Sequence, residues 1–390
     1  TWQEYLAEVR QAAKALIALG FQPGQGVCIL GFNRPEWTIF NLAGMLAGGH
    51  ASGIYTSNSP SEVQYIVHHS EAPFVLVEDA SQWDKINQKR VELPDLNKVI
   101  LMKGASVDDP LVLTWEDFLA EGEAVSDEAV DERLNALRPD QLAQLIYTSG
   151  TTGPPKGVML SHNNLVWTAQ LAASLLGITS TDSSVSYLPL SHIAEQMFTI
   201  HTAVTMGYQV YYAQYPPQDF LNDNLREVQP TLVFGVPRIW ERFRDGVAAK
   251  LGEATGAKAK IADWALKVGE EVSAIKRQGK EPTGLLAVQF NLANRLVFST
   301  VKEGLGLNRA KFCITAAAPI SPDIITFFNN VDIPLFELYG QSEDCGPTTT
   351  NLPHANKIGS VGCALPGTEV TLDTDGEIMV RGPHVFMGYF

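Results

Sequence analysis

The sequence lacks the features that mark several large classes of protein. It has only four cysteines, Cys28, Cys313, Cys345 and Cys363, which are widely spaced and form no CxxC pair. A disulfide scaffold or a structural zinc site is therefore not expected, and a reducing, cytoplasmic compartment suits the count. No run approaches the ~18 uninterrupted apolar residues of a transmembrane helix, which leaves only peripheral membrane contact open.

Positive charge is also scarce. The 43 Asp and Glu residues outnumber the 28 Lys and Arg residues, which gives a net charge of −15. A non-specific nucleic-acid binder needs clustered positive charge, so nucleic acid is not an expected partner. Hydrolase and nicotinamide-enzyme signatures are missing too, because no GxSxG elbow is present and GLGLNR at 304–309 lacks a third glycine.

What the chain does contain is an alternation of helical and strand-like segments. Thr1 with Glu4, and Ser59 with Glu62, form capping boxes that predict helices beginning at these positions. Apolar runs predict strands at 26–31, 74–79, 98–103, 144–150, 185–190, 209–214, 231–237 and 311–319. This alternation predicts an α/β fold with largely parallel, buried sheets.

At 390 residues the chain exceeds one average domain. The pattern predicts an α/β subdomain at 1–140, a second at 141–333 and a β-rich one at 334–390. Residues 241–308 form a predicted helical excursion within the second subdomain, and Asp375-Gly376 predicts a hairpin in the third. The acidic, proline-containing stretch 104–140 is expected to be a connection that crosses the surface.

The chemistry of the chain points first to YTSGTTGPPKGV at 147–158, which follows an apolar strand-like run. Its glycines allow backbone N–H groups to approach an anion, and its Thr and Ser hydroxyls add donors. Lys156 supplies a compact positive charge suited to phosphate. The segment is not a Walker A loop, because Lys156 is followed by Gly157 rather than Ser or Thr. A flexible linker is the alternative, but linkers rarely stand between two apolar segments.

This motif closely resembles the phosphate loop of the AMP-forming acyl-CoA synthetases, the adenylate-forming superfamily. Three further segments occur in that family's order: LPLSHIAE at 188–195, LYGQSE at 338–343 and GEIMVRGPHVFMGY at 376–389. The resemblance spans the whole chain. It implies the large domain of the adenylate-forming fold, with two stacked α/β sheet subdomains and a smaller β-rich one.

The resemblance also implies roles for individual residues. Those expected to bind the nucleotide are Thr148, Ser149, Gly150, Thr151, Thr152, Gly153, Lys156, Ala316, Ala317, Ala318, Tyr339, Gly340 and Ser342. Glu343 is the expected ligand of Mg²⁺, and His192 and Trp240 are expected to line an acyl pocket. Lys156, Glu343 and His192 are the expected catalytic residues. Ser342 stands where the family usually has Thr, which keeps the hydroxyl.

Several of these residues also have ordinary structural interpretations. Taken alone, His192, Tyr339 and Trp240 would be satisfied core or loop residues, and the alanines would be normal strand packing. The spacing of His192 and Glu195 is weak support for a metal pair without a third ligand. The doublet His68-His69 has no partner motif and is expected on the surface.

VPRIWERF at 236–243 and the helical excursion after it resemble the long-chain fatty acid branch, of the bubblegum type or its bacterial relatives. The expected substrates are a fatty acid, ATP and CoA, with acyl-AMP and AMP formed on the way. Transfer to a carrier protein, or nucleotide binding alone, remains an alternative. The resemblance further implies that a ribose-binding aspartate and a small domain with a catalytic lysine follow beyond Phe390. The acyl-chain length and the oligomeric state are not determined by the sequence.

Overall fold

The computed structural model describes residues 1–148 and 153–390, in which strands and helices alternate as the sequence predicts. The chain divides into two units by its internal contacts. Unit 1 consists of residues 1–170, 187–207 and 384–390, and unit 2 of residues 171–186 and 208–383. The three subdomain ranges inferred from the sequence stay predictions.

The strands are β1 (Gly26–Leu30), β2 (His50–Ile54), β3 (Phe74–Val77), β4 (Lys98–Leu101), β5 (Val112–Leu113), β6 (Leu142–Thr148), β7 (Lys156–Ser161), β8 (Ser183–Ser186), β9 (Gln209–Tyr212), β10 (Leu232–Gly235), β11 (Phe312–Thr315), β12 (Leu335–Gln341), β13 (Gly346–Thr350), β14 (Cys363–Ala364), β15 (Glu369–Leu372), β16 (Ile378–Arg381) and β17 (Gly388–Tyr389).

The α-helices are α1 (Trp2–Ala18), α2 (Pro35–Leu46), α3 (Pro60–His69), α4 (Ala80–Asn87), α5 (Trp115–Glu121), α6 (Asp127–Ala136), α7 (His162–Leu175), α8 (Ile193–Gln196), α9 (Thr202–Met206), α10 (Pro217–Val228), α11 (Pro237–Gly252), α12 (Ala257–Lys276), α13 (Gly284–Ala293), α14 (Ser299–Leu305) and α15 (Pro322–Asn330). Short 3-10 turns lie at Arg90–Glu92, Gly122–Ala124 and Ser342–Asp344, and π-helical turns at Met197–His201 and Asn294–Phe298. Both predicted capping boxes are present, at the starts of α1 and α3.

Unit 1 is built on a sheet with the strand order β17-β7-β6-β2-β1-β3-β4-β5. The six strands from β6 to β5 run parallel, whereas β7 and β17 pair antiparallel at one side. Successive side chains of β1 belong to two different core clusters. Val27 and Ile29 lie in one cluster, and Cys28 and Leu30 lie in the other. Both faces of the sheet are therefore covered, as expected for parallel strands with a period of two.

Unit 2 contains a five-stranded sheet in the order β10-β11-β12-β13-β14 and two two-stranded pairs, β15-β16 and β8-β9. Strands β10, β11 and β12 are parallel, and β13 returns antiparallel to β12. The predicted excursion at 241–308 is helical, and its inner side packs with α15 into one apolar core. The hairpin at Asp375-Gly376 is also confirmed, since Leu372 and Ile378 pair across it.

Two sequence expectations are wrong in detail. Residues 104–140 do not simply cross the surface, because α5 buries Trp115 and Phe118 in the core beside α1. The strand expected at 185–190 ends at Ser186. Pro189 has no N–H to donate to a neighbouring strand. Hydrogen bonds to side chains hold the backbone of this segment instead. Among the described helices, none is both long and apolar enough to cross a membrane.

Candidate functional site

The described ends of the 147–158 motif belong to the antiparallel strands β6 and β7. Thr148 pairs with Lys156 across the hairpin, and Lys156 is exposed at the first position of β7. Gly153 has a φ of +92°, a conformation that favours glycine, and a Cβ added to it would meet no atom of the described residues within 4 Å. Ser149, Gly150, Thr151 and Thr152 lie outside the described residues, and their predicted contacts stay predictions.

Side chains of α3 support this hairpin from one side. The Tyr65 hydroxyl donates a hydrogen bond of 3.1 Å to the Pro155 carbonyl oxygen, and a 2.9 Å hydrogen bond joins His69 Nδ1 to Tyr147 Oη. The rings of Tyr65 and His69 stack at 5.2 Å. Burial raises the pKa of Tyr147, so its phenol stays protonated at neutral pH. The expectation that His68-His69 lies on the surface holds for His68 but is wrong for His69, which is half-buried.

A second support comes from residues 388–390, at the end of the fourth motif. Gly388 and Tyr389 pair antiparallel with Met159 and Val158 of β7, and Phe390 N–H donates to the Gly157 carbonyl oxygen at 2.9 Å. The Lys156 ammonium lies 4.8 Å from the centroid of the Tyr389 ring, a cation–π distance. The first and fourth motifs, about 230 residues apart, thus belong to one stretch of sheet. Sequence reasoning missed this contact, because no local pattern couples the two segments.

His192 occupies a defined position in unit 1 at the start of α8. Its Nδ1 accepts a 3.2 Å hydrogen bond from the Ala194 backbone N–H, so the imidazole caps the helix. Burial lowers the pKa of His192, which keeps the ring neutral at pH 7. Because Nδ1 is the acceptor, the single ring proton resides on Nε2, which is a hydrogen-bond donor.

The segment before His192 is held at the carboxyl ends of two parallel strands, β1 and β2. Asn33, just after β1, donates to the Leu188 carbonyl oxygen at 2.7 Å and accepts from Leu190 N–H at 3.3 Å. At Gly53 of β2, an added Cβ would lie 2.6 Å from the Ser191 Cα, so only glycine leaves room for this backbone. Neither residue was identified from the sequence, since each acts through a contact more than a hundred residues away.

Glu195 does not complete a metal site with His192. It is buried and accepts a 2.8 Å hydrogen bond from the Thr199 hydroxyl within its own helical segment. Among residues 1–148 and 153–390, no group of three or more His, Cys, Asp or Glu side chains is arranged to hold a metal ion.

In unit 2, two predicted nucleotide segments meet at one edge of the sheet. Strands β11 and β12 are parallel neighbours, with Thr315 opposite Glu337. Both strands therefore end at the same edge of the sheet. The alanines 316–318, which follow β11, lie beside the end of β12. Ala316 is buried, whereas Ala317 has a φ of +73°, in the left-handed region, and is exposed. Small side chains at this edge leave the backbone accessible to a flat ring.

The YGQSE segment is shaped by one close backbone approach. The pairing of β12 with β13 shifts register between Tyr339 and Gly340. A Cβ on Gly340 would overlap the carbonyl oxygen of Gly346, so this glycine is required sterically. After it the chain turns through Ser342–Asp344, where Ser342 is buried and Glu343 is only partly buried.

Neighbouring carboxylates in this turn have different surroundings. Asp344 is buried and accepts hydrogen bonds from the Thr348 hydroxyl at 2.6 Å and from Gln341 Nε2 at 3.1 Å. Asp344 therefore fixes the turn, a role that the sequence did not suggest. Glu343, the residue before Asp344, is more exposed to solvent. A single accessible carboxylate fits Mg²⁺, which usually keeps water ligands and substrate phosphates and needs one or two protein oxygens.

Trp240 lies fully inside the unit 2 core. Its indole N–H donates to the Gly235 carbonyl oxygen at 3.0 Å, and its ring packs edge-on against Phe328 at 5.2 Å and Phe243 at 5.9 Å. This environment accounts for a tryptophan by packing alone. Its predicted place in an acyl pocket stays a prediction.

Comparisons with known proteins agree with this arrangement. The family model described as AMP-binding enzyme matches residues 1–390. The chain is 41% identical over its whole length to the long-chain-fatty-acid–CoA ligase ACSBG2 of Xenopus laevis. It is 38% identical to human ACSBG2 and 35% identical to ACSBG1 of Bos taurus, again over its whole length. The chain spans 54%, 59% and 55% of the lengths of these three relatives.

Solved structures show the same fold at lower identity. A benzoate CoA ligase from Burkholderia xenovorans LB400 matches all of this chain with a TM-score of 0.71 and 20% identity, over 68% of its own length. O-succinylbenzoate coenzyme A synthetase from Bacillus subtilis, solved with AMP, matches all of it with a TM-score of 0.65 and 23% identity, over 66% of its length. The motif order, the fold and the family match together establish that this chain belongs to the family of AMP-binding enzymes.

Proposed function

We propose that the protein is an AMP-forming ligase that activates a long-chain fatty acid with ATP and transfers it to CoA. The observation that carries this proposal is the 41% identity to the Xenopus laevis long-chain-fatty-acid–CoA ligase along the entire chain. Since the chain spans about half of that relative, the activity of the whole protein is inferred rather than read from the fold.

In the first step, a carboxylate oxygen of the fatty acid attacks the α-phosphorus of ATP. The bond from that phosphorus to the bridging oxygen breaks, and pyrophosphate leaves. This chemistry needs no protein nucleophile, so the protein acts through positioning and neutralisation of charge. Lys156 and the hydroxyls and N–H groups of 148–153 are proposed to hold the phosphates, with Ser342 at the α-phosphate.

The adenine is proposed to bind against Tyr339, Gly340 and the alanines 316–318. These residues meet at one edge of the sheet, where they offer accessible backbone and the flat ring of Tyr339. Glu343 is the residue proposed to hold Mg²⁺, which when bound would offset the negative charge of the phosphates. The neutral His192, with its proton on Nε2, can donate a hydrogen bond to a carboxylate and so orient the fatty acid. Trp240 is proposed to stiffen a wall of the acyl pocket.

In the second step, the thiol sulfur of CoA attacks the acyl carbonyl carbon of the acyl-AMP, and AMP leaves while the thiol loses its proton. Transfer to a carrier protein would use the same intermediate and differs only in the acceptor. The identity to CoA ligases favours CoA.

The test uses a protein that extends this chain to the length of its relatives. Pyrophosphate release is followed with fatty acids of increasing length, with and without CoA, and the products are separated by mass. Formation of acyl-CoA from long-chain acids is the expected result. Accumulation of acyl-AMP with CoA present, or pyrophosphate release only with short or aromatic acids, would contradict the proposal.

A further inference from the structure

Helix α13 and the π-helical turn after it expose a row of apolar side chains. The four residues are separated by three, four and four positions, which places them along one side of a helix. Their exposed fractions are 73% for Leu285, 64% for Val288, 48% for Leu292 and 49% for Leu296. We call these four residues the apolar stripe.

The opposite side of the same helix is also apolar and already has a partner. Phe290, Ala293, Val297 and Phe298 belong to the unit 2 core or pack directly against it. Residues 282–294 contain no charged side chain at all. A helix that packs on one side normally presents charged residues on the other, so packing within unit 2 does not account for the apolar stripe.

The charge around the stripe differs from that of the rest of the protein. Residues 241–308 contain eleven Lys and Arg against eight Asp and Glu, whereas the whole chain has a net charge of −15. Lys280 and Glu281 precede α13 and Arg295 lies between Leu292 and Leu296, and all three are exposed. A basic segment that carries an apolar face complements a surface that is anionic outside and apolar beneath.

We propose that the apolar stripe docks on an anionic lipid bilayer, with α13 lying in the plane of the interface. The leucines and Val288 would enter the boundary between headgroups and acyl chains, while Lys280 and Arg295 would contact lipid phosphates. A second copy of the chain fits less well. Four side chains fall short of the ~800 Å² that each partner buries in a stable interface, and two basic segments would repel each other. This inference rests on exposure and charge and does not depend on the proposed reaction.

The experiment measures co-sedimentation with vesicles of pure phosphatidylcholine and with vesicles that contain 30 mol% phosphatidylglycerol, the fraction being chosen to give a clear anionic surface. It uses both the 390-residue chain and the protein extended to the length of its relatives. The double variant Leu285→Gln/Val288→Gln removes the two most exposed members of the stripe. Val91→Gln/Leu134→Gln is the matched control, since it changes one Val and one Leu that are exposed in unit 1.

We expect both proteins to prefer the anionic vesicles, and the stripe variant to lose about 10-fold or more in partitioning while the control is unchanged. Thermal unfolding and sedimentation velocity check that the stripe variant stays folded and monitor association. Three outcomes would overturn the proposal. These are unchanged vesicle binding by the stripe variant, binding by the chain but not by the extended protein, and a stripe-dependent dimer without vesicle binding.

Discussion

The hairpin at 147–158 in unit 1 and the YGQSE turn at 338–343 in unit 2 both carry predicted nucleotide residues, but they are stabilised differently. The hairpin is supported by side chains, namely Tyr65, His69 and Tyr389, and among the described residues no atom lies within 4 Å of a Cβ added to Gly153. The YGQSE turn is supported by direct contact between backbones at Gly340 and by the buried Asp344. The hairpin should therefore tolerate added atoms better than the turn does.

The largest expected effect tests this contrast at two glycines. Gly340→Ala forces a Cβ into the Gly346 carbonyl oxygen, so we expect it to lower the free energy of unfolding by about 3 kcal/mol or more. Gly153→Ala meets no atom of the described residues, so we expect the cost of a left-handed φ, about 1–2 kcal/mol. Urea denaturation of both variants measures the difference. Equal losses would remove the distinction between the two segments.

The next prediction concerns the charge of the hairpin. Lys156→Ala should lower the rate of acyl-AMP formation on the order of 10²-fold, because one preorganised positive group at the phosphates is lost. Lys103→Ala, which removes an exposed lysine elsewhere in unit 1, is the control and should leave the rate unchanged. The measurement is pyrophosphate release at saturating and at low ATP. Identical kinetics in the two variants would exclude Lys156 from the site.

The neighbouring carboxylates of the turn provide a third, smaller test. Asp344→Asn weakens one buried and one partly buried hydrogen bond and should cost about 1–2 kcal/mol of stability. Glu343→Gln should leave stability nearly unchanged but raise the Mg²⁺ concentration needed for half-maximal activity severalfold, since Mg²⁺ prefers charged oxygen ligands. A Mg²⁺ titration and a denaturation curve are recorded for each variant. The proposed division of roles fails if the same variant shows both effects.

The smallest expected effect concerns the ring beneath Lys156. Tyr389→Leu removes the π face and should weaken ATP binding by about 0.5–1 kcal/mol, the size of an exposed cation–π contact. Tyr389→Phe keeps the ring and should retain the part of ATP binding that the π face supports. A titration with a fluorescent ATP analogue distinguishes them. If Tyr389→Leu has no effect on ATP binding while Lys156→Ala does, the Tyr389 ring contributes nothing to the site and Tyr389 serves only in strand pairing. The proposed role of Lys156 would stand.

The sequence predicts well those features that depend on neighbours along the chain. The capping boxes at Thr1 and Ser59, the parallel strands and the hairpin at Asp375-Gly376 all follow from local rules, and the structure confirms them. The order of the four motifs also led to the correct family. The expectation that 104–140 only crosses the surface is wrong, because the acidic composition of this stretch does not indicate that the two aromatic residues of α5 are buried.

The rest of the candidate site depends on contacts across long separations. Asn33 and Gly53 fix the backbone before His192, and Tyr389 reaches Lys156, although nothing in the surrounding letters identifies these residues. These contacts join segments that lie far apart in the chain, and no short pattern encodes which distant segments become neighbours in the fold.

The position of β17 at the edge of the unit 1 sheet has a consequence for synthesis on the ribosome. Strand β7 is complete at Ser161, but its neighbour β17 is complete only at Tyr389, 228 residues later. At about 5–20 residues per second, this interval lasts roughly 10–45 s. During it β7 presents an open edge with unpaired N–H and C=O groups, the kind of edge that other strands can join. The edge of β7 therefore stays open to pairing until residues 388–389 have been made, and Lys156 gains its aromatic support only after all of unit 2 has been translated.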